Sequence, residues 1–295
     1  MSSPSAHRHR ACPPPTAARA VPDAATATAT ATGTEATPQQ SHNRLIARAT
    51  VAAAQTVLVE RYRLSSPAEA FALLRQTSQL HNVKLHTLAD ALTAASPPAP
   101  GAAQWFPGRA RHGSPPLPGL GLDQHARAQH GAVLKAALDR ALTITGTTMG
   151  NVQLAEGGLL RMAKHAGLSS RFTDYFAFVE QSTTSCAEAA RQRTPVTVGD
   201  VATAPVFDET SRRVILEAGS RACHSVPLLT GEGRLVGVVS THHARPLSGL
   251  TGAQHGALER MAGLVGRWLC WHRRTLVLDA LEHLHGTATA VASGA

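Results

Sequence analysis

Apolar residues recur at helical spacing from about residue 44 to residue 95. Ile46, Ala49, Ala53, Val57 and Leu58 predict a first helix from about Arg44 to Tyr62. The second helix announces its own start. Ser66 stands in capping position, Pro67 takes the first helical position and Glu69 closes a capping box. Ala70, Phe71, Leu73 and Leu74 are its expected buried stripe. A third helix follows from Leu85, Leu88, Ala89 and Leu92, at i, i+3, i+4 and i+7, with Asn82 as its expected cap. About fifty residues make a marginal core alone. The bundle is therefore expected to lean on a dimer partner or on the rest of the chain.

From about Asp123 the pattern turns to mixed helix and strand. Leu134, Leu138, Ala141 and Leu142 mark a helix. Residues 151–155 and 159–164 read as strands joined at Gly157-Gly158, a hairpin signal. A helix is expected over 171–180, a short strand over 195–198, and a helix over 209–218 that ends at Gly219. Strands over 221–229 and 234–242 flank the turn Gly231-Glu232-Gly233. One long helix is expected from about Thr251 to Leu284, with Leu258, Met261, Val265, Trp268 and Leu269 on its apolar side. This order suggests an α+β sheet covered on at least one face.

Three stretches break the pattern. Residues 1–43 run through Pro13-Pro14-Pro15 and an Ala-Thr alternation from Ala25 to Thr32, with almost no large apolar side chain. No core can offset the ordering entropy there, so a disordered tail is expected. Residues 96–122 hold seven prolines and read as a semi-extended linker, within which Trp105 and Phe106 stand out. Residues 286–295 are expected to be a second disordered tail. The expected domains are thus 44–95, helical, and 123–285, mixed.

Composition adjusts this picture. Of 295 residues, 43% are hydrophobic but only 4% aromatic, so the core must be mostly Leu, Val and Ala. No apolar run of about 18 residues predicts a membrane span, and no signal peptide is evident, so a cytoplasmic protein without a membrane partner is expected. The net charge of +9 favours polyanion partners, although only Lys84, Lys135 and Lys164 are lysines and the Arg-rich balance is that of a GC-rich genome. Four scattered cysteines (Cys12, Cys186, Cys223 and Cys270) contain no CxxC pair, which argues against a zinc knuckle or a disulfide framework.

The helical segment resembles the ANTAR domain, an RNA-binding module of bacterial antiterminators. The resemblance rests on residues 48–62, 68–75 and 78–85, with Ala89, in ungapped spacing over about 45 residues. It implies binding to paired hairpin loops near a terminator. It puts Ala70, Arg75, Ser78, Asn82 and Lys84 on the family's characteristic positions. Read from spacing alone, Arg75, Asn82 and Lys84 are a solvated helix face, a reading that only the family resemblance reverses, and Tyr62 is the one exposed-looking aromatic. Gln55 and Thr56 depart from the family's Lys-Gly in the first helix, which weakens the expected RNA contact.

The mixed segment resembles a GAF domain over about 125–272, most clearly in 226–242, with residues 150–154, 185–189 and 198–201 in agreement. The resemblance implies a six-stranded antiparallel sheet with helices and a role in ligand sensing or dimerisation, without naming a ligand or cofactor. The expected architecture is therefore multidomain: an all-α three-helix bundle followed by an α+β GAF domain. ANTAR domains more often follow GAF domains, so the usual signal relay does not transfer to this order.

Phe207-Asp208-Glu209 superficially resembles the NKFDE motif of cyclic-nucleotide GAF domains, but a turn with acidic residues opening a helix explains it better. His224 with His242 or His243 is a conceivable metal or haem site that lacks a completing ligand. Cys186 and Cys223 are a conceivable thiol pair, as in methionine sulfoxide reductase versions of the fold. No phosphate loop, HExxH or GxSxG is present. The expectation is a non-enzymatic, homodimeric, signal-responsive RNA-binding antitermination regulator with no catalytic or metal residue. Its rivals are a GAF interaction protein with a degenerate ANTAR segment, a thiol-dependent GAF reductase, and a helix-turn-helix that binds DNA. Coupling through dimerisation is expected, because the proline-rich linker argues against a continuous helix between the domains.

Overall fold

A computed structural model describes residues 38–180 and 183–294. The three helices of the first segment are α1 (Pro38–Tyr62), α2 (Pro67–Leu80) and α3 (Leu85–Ala94). α2 starts at Ser66 and Pro67 as expected, but only half of the expected capping box forms, because Glu69 reaches back to Ser65 and not to the Ser66 N–H. The Glu69 N–H donates to Ser66 Oγ at 3.2 Å, while the Glu69 carboxylate accepts the Ser65 N–H and hydroxyl at 2.8 Å each. Its far end corrects the expected role of Asn82. Asn82 adopts φ +50°, and the Val83 N–H donates to Ser78 O at 3.0 Å. That is a left-handed helix end, so Asn82 closes α2, and Lys84 stands at the start of α3 without a side-chain cap. α1 begins inside the stretch expected to be a disordered tail. Residues 1–37 of that tail lie outside the described residues.

The second segment contains α4 (Gln124–Arg127), α5 (His130–Thr145), β1 (Met149–Glu156), β2 (Leu159–Ala166), α6 (Ser170–Tyr175), β3 (Phe178–Val179) and α7 (Ser185–Gln192). It continues with β4 (Val196–Val198), α8 (Glu209–Glu217), β5 (Ala222–Leu229), β6 (Leu235–His243) and α9 (Gly252–His272). Within 171–180 the expected helix is shorter, and its end is the strand β3. The six strands form one antiparallel sheet in the order β3-β2-β1-β6-β5-β4. Gly157 and Gly158, at φ +56° and +80°, make the turn between β1 and β2.

Side-chain alternation assigns the two faces of the sheet. Val152, Leu154, Val226, Leu228 and Val239 pack against Leu134 and Leu138 of α5 and against Leu258, Val265 and Trp268 of α9. Gly266 permits this contact, because a Cβ there would overlap the Leu229 carbonyl. The opposite face, with Leu160, Cys223 and Val238, packs against Phe172 of α6, Ala189 of α7, and Val214 and Ile215 of α8.

The chain end differs most from expectation. α9 passes through a π-helical turn, Arg273–Val277, into α10 (Leu278–Gly294), so residues 252–294 form one unbroken helical stretch. The end expected to be disordered from 286 is helical. α10 buries Ala280, Leu281, Leu284 and Ala288 in the same core as Leu58, Leu74, Leu88 and Leu92. The marginal three-helix core is thus completed by a fourth helix from its own chain.

The proline-rich stretch is not a free spacer either. Trp105 is only 5% exposed and joins that core. The N–H groups of Trp105 and Phe106 donate to the Glu282 carboxylate at 3.0 and 2.9 Å. Trp271 Nε1 donates to His112 O at 2.7 Å, and Arg109 and Arg111 both pair with Asp279. The described residues of both domains lie within one compact unit. Among the described residues no helix is long and apolar enough to cross a membrane.

Candidate functional site

The positions singled out in the helical segment divide by burial. Ala70 is fully buried in the four-helix core. Ser78 donates its hydroxyl to Val83 O at 2.7 Å and, with Asn82, shapes the corner between α2 and α3. Arg75 and Lys84 are exposed, on α2 and at the start of α3. These two supply positive charge, while Ala70, Ser78 and Asn82 form the scaffold that presents it.

Two aromatics exchange roles relative to expectation. Tyr62 is buried, with its hydroxyl on His285 of α10, whereas Phe71 is 38% exposed although it was expected in the buried stripe. Gln55 Nε2 donates to Pro67 O at 2.8 Å, bracing α1 to the start of α2, and Thr56 donates to Ala52 O within α1. The departure from Lys-Gly has therefore become local structure.

In the mixed domain a small pocket of mixed lining, with Phe172, Phe176, Phe207 and Ile215 among its walls, lies between the sheet and α6–α8. Asn151, Gln153, Thr184, Ser185, Cys186, Cys223, Ser240 and His242 contribute to its lining, and its cavity is about 20 Å³. Ser225 Oγ lies 3.1 Å from Ser185 Oγ and 2.9 Å from Ser240 Oγ, while Cys223 Sγ lies 3.2 Å from Ser185 Oγ. Gln153 Nε2 donates to Phe176 O, and its buried Oε1 has no hydrogen-bond partner. Burial raises both thiols, Cys223 to about 12, so they rest protonated. A wider cleft of about 950 Å³ opens beside it, with Ala155, Leu160, Val179, Ala187, Arg191 and Val206 on its walls. The β1–β2 hairpin and α7 form opposite sides of that cleft.

The histidines separate onto two faces. His242 faces the small pocket, where Nδ1 lies 3.0 Å from Ser220 Oγ and Nε2 lies 3.3 Å from Asn151 Oδ1. His224 faces α9, with Nδ1 2.7 Å from Thr197 Oγ1 and its ring 5.0 Å from that of His255. Burial lowers both to about 4. Among the described residues no three His, Cys, Asp or Glu side chains are arranged to hold a metal. Asp208 caps α8 by accepting the Ser211 N–H at 2.8 Å, which accounts for the acidic pair after Phe207.

Sequence reasoning missed the junction between the domains. Glu156, at the end of β1, accepts from Arg161 Nε at 2.7 Å and from Thr87 Oγ1 of α3 at 3.0 Å, with His86 Nε2 at 3.6 Å. Burial alone would raise its carboxyl, but Arg161, His86 and Thr87 together hold it below the ordinary value. Arg273, in the π turn, donates to Ala155 O at 2.6 Å. The hairpin that walls the wide cleft thus also grips α3 and the start of the π turn. No local motif marks such a cluster, because its members come from four separate elements.

A helical bundle and an α+β domain are thus joined in one chain. The chain carries an ANTAR domain, matched over residues 39–92, followed by a GAF domain, matched over residues 129–269, the make-up of a sensor-regulated regulator of the antiterminator type. No curated protein matches the chain.

Solved structures align with about half of the chain. A domain of a two-component sensor histidine kinase from Sinorhizobium meliloti is 24% identical, over 45% of this chain and 85% of that one, at TM-score 0.38. The free methionine-R-sulfoxide reductase from Neisseria meningitidis is 18% identical, over 56% and 98%, at TM-score 0.40. A GAF/HD domain protein from Geobacter sulfurreducens is 13% identical, over 48% and 93%, at TM-score 0.41.

Proposed function

We propose that the protein is a cytoplasmic RNA-binding antitermination regulator in which the GAF domain senses a small ligand and sets the state of the ANTAR bundle. The observation that carries this reading is the helix α9–α10, whose residues belong to the cores of both domains. Dimerisation is not needed to transmit the signal along it, and a homodimer would add a second RNA site. The RNA contacts assigned to the ANTAR face are Arg75 and Lys84, positioned by Ala70, Ser78 and Asn82. Hairpin loops near terminators are the partner class.

A ligand shifts the bundle only if it binds two arrangements differently. The hairpin supplies that difference. Filling the cleft between β1–β2 and α7 moves the strand ends that hold Thr87 through Glu156 and the π turn through Ala155. The resting state is the docked arrangement. The buried thiols of the small pocket, raised by that burial, argue against the reductase reading.

The test is in-cell crosslinking of the full-length protein with sequencing of the recovered RNA, beside an Arg75→Ala, Lys84→Ala control. Enrichment of paired hairpins upstream of terminators, lost in the control, is the expected result. Recovery equal to the control removes RNA binding. The second reading, a GAF interaction protein with a silent ANTAR segment, is favoured by Gln55 serving as a brace, and it would then lead.

A further inference from the structure

On α2 the residues Phe71, Arg75 and Gln79 are exposed and spaced four apart, so they form one row along the helix surface. Large apolar side chains are rarely exposed among the described residues: Leu45, Phe71 and Leu80 are the examples, and Phe71 is the aromatic one. No acidic residue follows Glu69 in α2, and the Glu69 carboxylate is occupied by Ser65. Leu80 lies half a turn round the helix from Phe71, with Arg75, Gln76 and Gln79 between them. The row is therefore one ring set among donors and a cation, not a continuous apolar patch that a folded protein partner would cover.

A flat ring beside a guanidinium suits an unpaired nucleotide. The base stacks on the ring and the cation meets the adjoining phosphate, which is how single-stranded RNA loops are commonly held. We propose that Phe71 is the stacking platform for an unpaired loop base of the bound RNA, with Arg75 on the flanking phosphate and Gln79 at the base edge. The inference rests on the RNA-binding reading above and deepens it by naming a specificity-determining residue.

The experiment uses the full-length protein and a hairpin recovered by crosslinking, with 2-aminopurine replacing one loop base at a time. Phe71→Tyr keeps the ring, whereas Phe71→Leu keeps apolar bulk without it, and thermal unfolding checks that both fold. Wild type and Phe71→Tyr are expected to quench one loop position. Phe71→Leu is expected to lose that quenching and roughly tenfold in affinity. Equal quenching and affinity in Phe71→Leu, with Arg75→Ala still impaired, overturns the stacking role and leaves RNA binding intact. If no hairpin is recovered, the RNA reading fails and the stacking role falls with it; if Phe71→Leu and Arg75→Ala both bind and quench as wild type, the RNA contact lies elsewhere and the stacking role is overturned.

Discussion

The Tyr62 hydroxyl lies 2.8 Å from Nδ1 of His285, joining the end of α1 to the middle of α10. The other side of the ring fixes the roles. His285 Nε2 lies 2.9 Å from Ala102 O, and a carbonyl can only accept, so Nε2 carries the proton and Nδ1 accepts from Tyr62. One imidazole thus ties the first ANTAR helix, the proline-rich stretch and the helix that arrives from the GAF domain. Tyr62→Phe removes the donor and leaves Nδ1 buried without a partner, at a cost of about 1–3 kcal/mol. Urea unfolding followed by hydrogen exchange is expected to place that loss in 41–95 and 278–294. Unchanged exchange there would show that the bond carries no weight.

Glu156→Gln tests the junction. The amide keeps the shape and can still accept from Thr87, but it leaves the Arg161 guanidinium in a largely buried place without its counter-charge. Removing one member of a buried pair typically costs about 3–5 kcal/mol. Faster exchange is expected in α3 and the β1–β2 hairpin together. If the hairpin alone loosens, α3 is held to the GAF domain by other contacts and the proposed relay through Thr87 is wrong.

What could be read in advance was local. Ser66-Pro67-Glu69 fixes the start of α2 through bonds that span four residues, and Gly157-Gly158 fixes a turn, so both were legible. The strand order, with β1 beside β6, depends on pairing residues some ninety positions apart, and only the family resemblance supplied the antiparallel sheet. Ala70 and Phe71 differ by a single step of helical phase. Which of them is buried is decided by the helices packed against α2, namely α1, α3 and α10, and the place of α10 in the bundle is revealed by no local pattern. The apolar side of the last helix was plain from Leu258 to Leu269, but not the second core that its far end enters through Leu281 and Leu284. The exposed charges Arg75 and Lys84 were legible, whereas the Glu156 cluster was not.

Gln55→Lys returns a positive charge to α1 while removing the brace to Pro67 O. If this surface faces RNA, affinity is expected to rise, and the slope of log affinity against log salt to steepen by about one unit. An unchanged slope would place the helix surface around Gln55 away from the bound RNA.

The thiols give an inexpensive check on chemistry. Cys186 and Cys223 are buried and raised in pKa by that burial, while Cys270 is partly exposed. Iodoacetamide at neutral pH is expected to spare Cys186 and Cys223 in the folded protein and to label them in urea, because the thiolate is the reactive form. Rapid labelling of either in the native state, together with turnover of free methionine sulfoxide, would restore the reductase reading.

Acid sensitivity follows from the histidines at the junction. Burial, then neighbouring positive charge, lowers His86 to about 4 and His272 to about 3, against an ordinary value of 6.5. For His130, also near 4, burial is again the largest cause. A histidine whose folded value lies below its unfolded value takes its proton first in the unfolded chain. The stability it supports is therefore full above about pH 6.5 and is lost as pH falls towards 4. Glu156, held below 4.5, costs stability only at lower pH, and Asp90, raised mainly by burial, offsets part of the loss near its own titration. The urea midpoint is expected to drop between pH 7 and pH 5. His272→Leu removes one titrating group beside His130 and Trp268, and is expected to shrink that drop by a measurable fraction whatever its effect at pH 7. An equal drop in the variant would mean that His272 already takes its proton in the folded state, with water reaching the junction between the two domains.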